Sequence, residues 1–161
     1  MGWSTSEFTI CMSEPEIFLE PVTATNWKAC IALELAPGQE HFVPSNLYSI
    51  AEAQFYPDAQ SNAIYNEYNE LVGYALYGID VGTSQWKIFR IMIDKSQQHK
   101  GYGESAIKEI IARIFKKAER NVIWISYHQD NHAAQKLYAK LGFIEQHCTE
   151  DGHVSALLGP R

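Results

Sequence analysis

Apolar and polar positions change period several times along the chain, and each change marks an element. Residues 16–22 alternate as a half-buried strand does. Thr23 or Thr25 then caps a helix predicted to run through Leu35, where Pro37-Gly38 ends it. A second helix follows Pro44, with Ser45 or Asn46 as N-cap and Leu47, Ile50, Ala51 and Phe55 on its apolar face; Pro57 stops it. Residues 62–67 and 71–79 read as a hairpin that turns near Asn69-Glu70. Residues 86–94 are almost continuously apolar, the pattern of a central strand covered on both faces.

The longest helix comes next. Ala106, Ile107, Ile110, Ile111, Ile114, Phe115 and Ala118 recur at helical spacing, leaving Lys108, Glu109, Lys116 and Lys117 outside; Asn121 is its predicted end. Residues 122–127 form a short buried strand, and Asp130 or Asn131 caps a further helix that Gly142 terminates. Residues 143–149 and 153–158 close the chain as a hairpin around Asp151-Gly152. The order β-α-α-β-β-β-α-β-α-β-β predicts one α/β domain over residues 15–161, a mixed but mostly antiparallel central sheet flanked by helices. Residues 1–14, polar and without period, read as a loose N-terminal arm.

Charge and composition narrow the function classes. A net charge of −6 excludes the basic stripe of a duplex-binding module and suits a cationic small-molecule partner. Cys11, Cys30 and Cys148 are odd in number and scattered, which predicts free thiols in a reducing compartment. No apolar run approaches the roughly 20 residues that span a bilayer, and no basic-then-apolar segment opens the chain, so no membrane partner and a cytoplasmic location are expected. His128 and His132 are four apart but lack the H-E-x-x-H form, and His147 and His153 bracket a turn, so no metal site is expected.

Candidate chemistry sits between the strongest strand and the longest helix, at Gln98-His99-Lys100-Gly101-Tyr102-Gly103. The first turn of a helix has unpartnered N–H groups and a partial positive charge. Two glycines admit a phosphate close to the backbone and Lys100 adds a full charge, so a pyrophosphate is the natural occupant. A dinucleotide-binding βαβ unit fits poorly. Gly101-x-Gly103-x-x-Ala106 meets the first half of that fingerprint, but the next strand ends in Ser126-Tyr127-His128 with no ribose-binding acid.

Gln98-x-x-Gly101-x-Gly103 resembles the Q/R-x-x-G-x-G/A acyl-CoA motif of the GNAT superfamily of N-acetyltransferases. Asn131-His132-Ala133-Ala134-Gln135-Lys136-Leu137-Tyr138, followed by Leu141-Gly142-Phe143, resembles that superfamily's N-x-x-A-x-x-L-Y-x-x-x-G-F segment. The resemblance implies a GNAT-like fold and acetyl-CoA as co-substrate. It implies that the backbone of Ile91, Met92 and Ile93 meets the pantetheine arm. It also implies that the loop of Gln98, His99, Lys100, Gly101, Tyr102, Gly103 and Glu104 holds the pyrophosphate, and that Asn131 hydrogen-bonds the cofactor arm. Tyr138, seven residues beyond Asn131 on the same helical face, would protonate the leaving thiolate. Read alone, Tyr138 is better taken as an ordinary half-buried core tyrosine beside Leu137 and Leu141. The base stays unassigned: Phe89 and Arg90 stand where some relatives carry an acid, and Tyr127 and His128 are the remaining candidates.

The stretch from Gln39-Glu40-His41-Phe42 through Ser45-Asn46-Leu47-Tyr48-Ser49, with Gly73-Tyr74-Ala75-Leu76-Tyr77-Gly78, resembles the polyamine (diamine or spermidine) branch. That resemblance implies a small cationic amine as substrate, with Glu40 and Glu52 attracting an ammonium and Tyr48, Tyr56 and Tyr77 as aromatic walls. Solvated helix charges and packing tyrosines are the competing reading. Two other functions remain open: acetyl transfer to protein, peptide or aminoacyl amines, and coenzyme A binding without catalysis. Family members often pair, so a homodimer is left open too.

Overall fold

The computed structural model describes residues 13–118 and 122–159. Residues 1–12, with Cys11, lie outside the described residues, as does Asn121; the long helix expected to end at Asn121 already stops at Lys117, where Ala118 turns extended. The strand segments are β1 (Ile17–Pro21), β2 (Gln60–Asn66), β3 (Leu71–Ile79), β4 (Trp86–Ile93), β5 (Ile123–His128), β6 (Ile144–Cys148) and β7 (His153–Leu158). They make one sheet in the order β1-β2-β3-β4-β5-β7-β6, so β4 is the middle strand, as its apolar run predicts. Every pairing is antiparallel except β4 with β5. The parallel pair needs a crossover, and α3 (Tyr102–Lys117) supplies it.

Helix α3 covers one face of the sheet. Ala106, Ile107, Ile110 and Ile114 pack on Leu19, Ile64, Val72, Ile88, Ile123 and Ile125, with Ile111 and Phe115 at the margin. Fully burying each such isoleucine stabilises the fold by roughly 1.5–3 kcal/mol. The other face is covered by α1 (Trp27–Ile31) and α2 (Asn46–Glu52) over Cys30, Ala53, Ala63, Tyr74 and Leu76. Helix α4 (His132–Lys140) follows β5; Asn131 Oδ1 accepts from Ala134 N at 3.2 Å as its N-cap, and Gly142 stops it with φ +94°.

Two sequence expectations fail here, both on the face of α1 and α2. The first helix ends at Ile31, not Leu35, because tertiary partners replace helical ones. Glu34 N donates to Asp94 Oδ1 (2.8 Å) and Glu34 O accepts from Lys95 N (2.7 Å). Its expected threonine cap is absent as well: Thr23 and Thr25 bond each other in the turn before Asn26.

The second failure is rotational. Ser45 caps α2 by accepting from Tyr48 N at 3.1 Å, but the buried side is Asn46, Ser49 and Ala53, while Leu47 is 56% and Phe55 79% exposed. Asn46 Nδ2 donates to Cys30 O (2.8 Å) and Ser49 Oγ to Ser45 O (3.0 Å), so these polar side chains are buried with partners. A seven-residue helix is too short for its apolar period to override such bonds.

Candidate active site

The parallel pair does not stay paired. Register between β4 and β5 runs through Trp86–Ile123, Lys87–Trp124 and Ile88–Ile125, and there it stops. On its other side β4 carries a bulge: Leu76 faces Arg90 and Tyr77 faces Ile88, so Phe89 is the extra residue. A bulge bends its strand, and past Phe89 the two strands part. Between them opens a cleft of about 660 Å³, lined by Phe89, Arg90, Ile91, Met92 and Ile93 on one wall and Ser126, Tyr127 and His128 on the other.

Helix α3 begins at one end of this cleft. Gly101 is its N-cap at φ +87°, His99 is also left-handed at φ +63°, and no side chain caps the first turn. The amides at the start of the helix are therefore left for a ligand. Glu104 in that turn is paired with Lys108 (3.0 Å) and Lys140 (2.8 Å), whose hydrogen bonds pull its carboxyl below the usual range. With those lysines beside it, Glu104 does not turn the helix start anionic.

Of the sequence-predicted cofactor residues, Ile91, Met92, Ile93, Gln98, His99, Gly101, Tyr102, Gly103, Glu104 and Asn131 all line the cleft. Lys100 does not; its Nζ donates to Gln97 Oε1 at 2.9 Å. The side chain of Gln98 turns away from the helix start, donating to Ile93 O (3.0 Å) and exchanging amide hydrogen bonds with Gln39 (2.7 and 3.1 Å). Gln98 thus ties the loop to the segment after α1, a link between residues 59 apart that no local motif announces.

Tyr138 also lines the cleft. Its ring packs against Tyr127 (centroids 5.4 Å) and Phe143 (5.8 Å), and its hydroxyl makes no hydrogen bond among the described residues. Burial pushes its phenol up to about 12. Of the candidate bases, Tyr127 already donates its proton to Glu145 Oε1 at 2.6 Å. His128 Nδ1 accepts from Asp130 N at 3.2 Å, and the ring sits against Phe42 and His153.

Residues 27–143 match the acetyltransferase (GNAT) family. The chain belongs to that family. This GNAT chain is 27% identical over 133 residues to the probable spermine N(1)-acetyltransferase of Bacillus subtilis subsp. natto, covering 79% of itself and 87% of that protein. Its fold matches the ribosomal-protein-S18-alanine N-acetyltransferase of Escherichia coli (TM-score 0.69, 19% identity, 89% and 94% of the two chains). It also matches the spermidine N-acetyltransferase of Vibrio cholerae solved with CoA and spermine (TM-score 0.67, 14% identity, 88% and 92%). The GNAT chain is accordingly an acetyl-CoA-dependent N-acetyltransferase with the single α/β domain and mixed sheet its sequence predicts.

The acceptor-side residues fare differently. Tyr77 is 3% exposed in the core and does not line the cleft, so it is no aromatic wall. It follows Leu76 at the bulge and turns to the α3 side, whereas Leu76 turns to the α1 side. Tyr48 is 57% exposed and outside the cleft; Glu40 lies on an adjoining depression of about 320 Å³ with Glu34 and Pro44. Glu52 is not a free carboxylate: Oε2 pairs with Arg90 Nη2 at 2.9 Å and Oε1 accepts from Tyr56 at 2.7 Å. Tyr56 does line the cleft, stacked on Phe89 with centroids 4.2 Å apart. Among the described residues no group of three His, Cys, Asp or Glu side chains could hold a metal, and no helix is long and apolar enough to cross a membrane.

Proposed function

We infer that this enzyme transfers acetyl from acetyl-CoA to the primary amine of a small cationic acceptor of the polyamine kind, both substrates being bound together. The observation that carries the reading is the cleft between the parted strands, with an uncapped helix start at one end and Tyr138 on its wall. Acetyl-CoA would supply the activated acetyl thioester. The backbone of Ile91, Met92 and Ile93 fits an amide-bearing arm, since the side of β4 that faces β5 has no strand partner there. The loop of residues 98–104 fits a pyrophosphate. Asn131 spends its carbonyl oxygen on capping α4, which leaves its NH₂ as the donor for the cofactor arm.

Tyr138 holds the proton needed at the leaving sulfur. A phenol whose deprotonation is pushed up to about 12 stays protonated throughout the neutral range and can donate on every turnover. The acceptor's cationic character is supported by the polyamine relatives and by the aromatic faces of Tyr56 and Phe89 at the cleft.

A screen of acetyl transfer to spermidine, spermine, short diamines, amino acids and lysine peptides tests the acceptor class. The expected result is the highest kcat/KM for the polyamines; activity on peptides alone would overturn it. The loop assignment has its own test. A Cβ on Gly103 meets Ile93 Cγ1 at 3.6 Å, an ordinary contact, so Gly103→Ala should fold normally. The branched side chain of Gly103→Val reaches into the space taken by the phosphates. We expect at least a tenfold weaker acetyl-CoA affinity by calorimetry for Val than for Ala; equal affinities would remove the loop from the site.

A further inference from the structure

The site as described has a proposed proton donor for the leaving group but no assigned acceptor for the amine's proton. Among the groups on the acceptor side, Tyr56 is distinctive. It follows α2 directly after a short 3-10 turn (Ala53–Phe55), and its ring lies flat on Phe89, the bulge residue at which β4 and β5 part. Its hydroxyl donates to Glu52 Oε1 at 2.7 Å. A hydroxyl that donates to a carboxylate keeps its own lone pairs for accepting, and the carboxylate polarises it in that sense. Glu52 is fixed in turn by Arg90, whose other terminal nitrogen donates to Phe89 O at 2.7 Å. The group is assembled from α2, the turn after it and β4, and each partner is held by the next.

We propose that Tyr56, with Glu52 behind it, receives the amine of the acceptor and carries away its proton. This rests on the amine-acetylating reading given above. An alkylammonium loses two protons in becoming an amide. One passes from nitrogen to the Tyr56 oxygen as the Tyr56 proton passes to Glu52 Oε1, and from there to solvent. The nitrogen then bonds to the acetyl carbon and the carbon–sulfur bond breaks; the second proton makes good the one that Tyr138 hands to sulfur. Tyr56 is the catalytic residue of this pair, and Glu52 is a positioning residue that acts through it. The charged and titratable groups facing Tyr56 are Glu52 and Tyr48 from α2 and Arg90 from β4, and Lys87 lies over the Phe89 ring beneath it (5.8 Å). Arg90 holds the Glu52 carboxyl in place behind Tyr56.

The test compares Tyr56→Phe, Glu52→Gln and the double variant, with spermidine as acceptor and acetyl-CoA binding followed by calorimetry. Tyr56→Phe keeps the stacking on Phe89 and so guards against a folding artefact. We expect each single variant to lose roughly 10²-fold in kcat with acetyl-CoA affinity unchanged, and the double variant to lose no more than the worse single one. The loss should shrink as pH is raised toward the acceptor's own pKa of about 10, because an amine that is already neutral needs no relay. A loss that stays constant with pH, multiplicative losses in the double variant, or kcat near wild type overturns the proposal while leaving amine acetylation intact. A wild-type enzyme that acetylates no amine on the panel overturns the parent reading instead.

Discussion

Tyr138→Phe is expected to lower kcat by roughly 10²–10⁴-fold while leaving acetyl-CoA affinity within about twofold of wild type. The ring is held by Tyr127 and Phe143, and phenylalanine fills the same space. The hydroxyl, which has no hydrogen-bond partner among the described residues, contributes nothing to that packing. On the proposed role, removing it takes away only the proton that would pass to sulfur. Steady-state rates with saturating acetyl-CoA, together with calorimetric binding, separate the two quantities. Equal turnover in the two proteins would falsify the assignment. The wild-type pH profile gives a second check. Burial raises this phenol, so its donating form is intact below the ordinary tyrosine value of about 10 and is lost only as pH climbs through about 12. A fall in kcat from Tyr138 near neutral pH would contradict that environment.

Gly73→Ala is expected to be the most damaging single-methyl change in the sheet. A Cβ at that position would sit 2.4 Å from Met92 O and 2.8 Å from Ile93 Cδ1, and a backbone oxygen cannot swing aside. Gly73 faces Ile93 across the β3–β4 pair, so the strain falls on the strand that forms the cleft wall. Overpacking of this kind costs about 1–3 kcal/mol, and each kcal/mol lowers Tm by roughly 2–4 °C in a domain of this size. The same displacement moves Met92 and Ile93, so acetyl-CoA affinity should fall with Tm. Scanning calorimetry and ligand titration on one preparation check both. An unchanged Tm would mean that the two strands are not packed as closely as described.

What the chain reveals on reading depends on the range of the interaction that fixes each feature. The strands, α3 and α4 are set by periods and caps within a few residues, and Asn131, Gly142 and the apolar ridge of α3 announce them directly. Helices α1 and α2 are set from outside. The bond from Glu34 N to Asp94, and the burial of Asn46 and Ser49, depend on segments that approach only after folding. The site divides in the same way. Its proposed cofactor half is a contiguous loop and helix start, and so is legible as a motif. The group proposed for the acceptor side joins Glu52, Tyr56 and Arg90, with Glu52 and Arg90 38 residues apart, and nothing in local spacing connects them.

The parting of β4 from β5 leaves a sheet edge in the interior of the molecule. Edges at the rim of a sheet invite other polypeptides to add strands. This one has β3 behind it, α3 beginning at one end and Ser126, Tyr127 and His128 of β5 across the cleft. A single slender molecule with amide groups spaced along it can lie there as a substitute strand. Recognition of that sort reads main-chain donors and acceptors, not side chains. The residues along this stretch of β4 are thus free to drift so long as the strand keeps its course, and fold and cofactor can persist in relatives that share few residues. Selection on the acceptor then acts on a separate set of side chains, and new amine specificities can arise without rebuilding the half of the cleft proposed to hold the acyl donor.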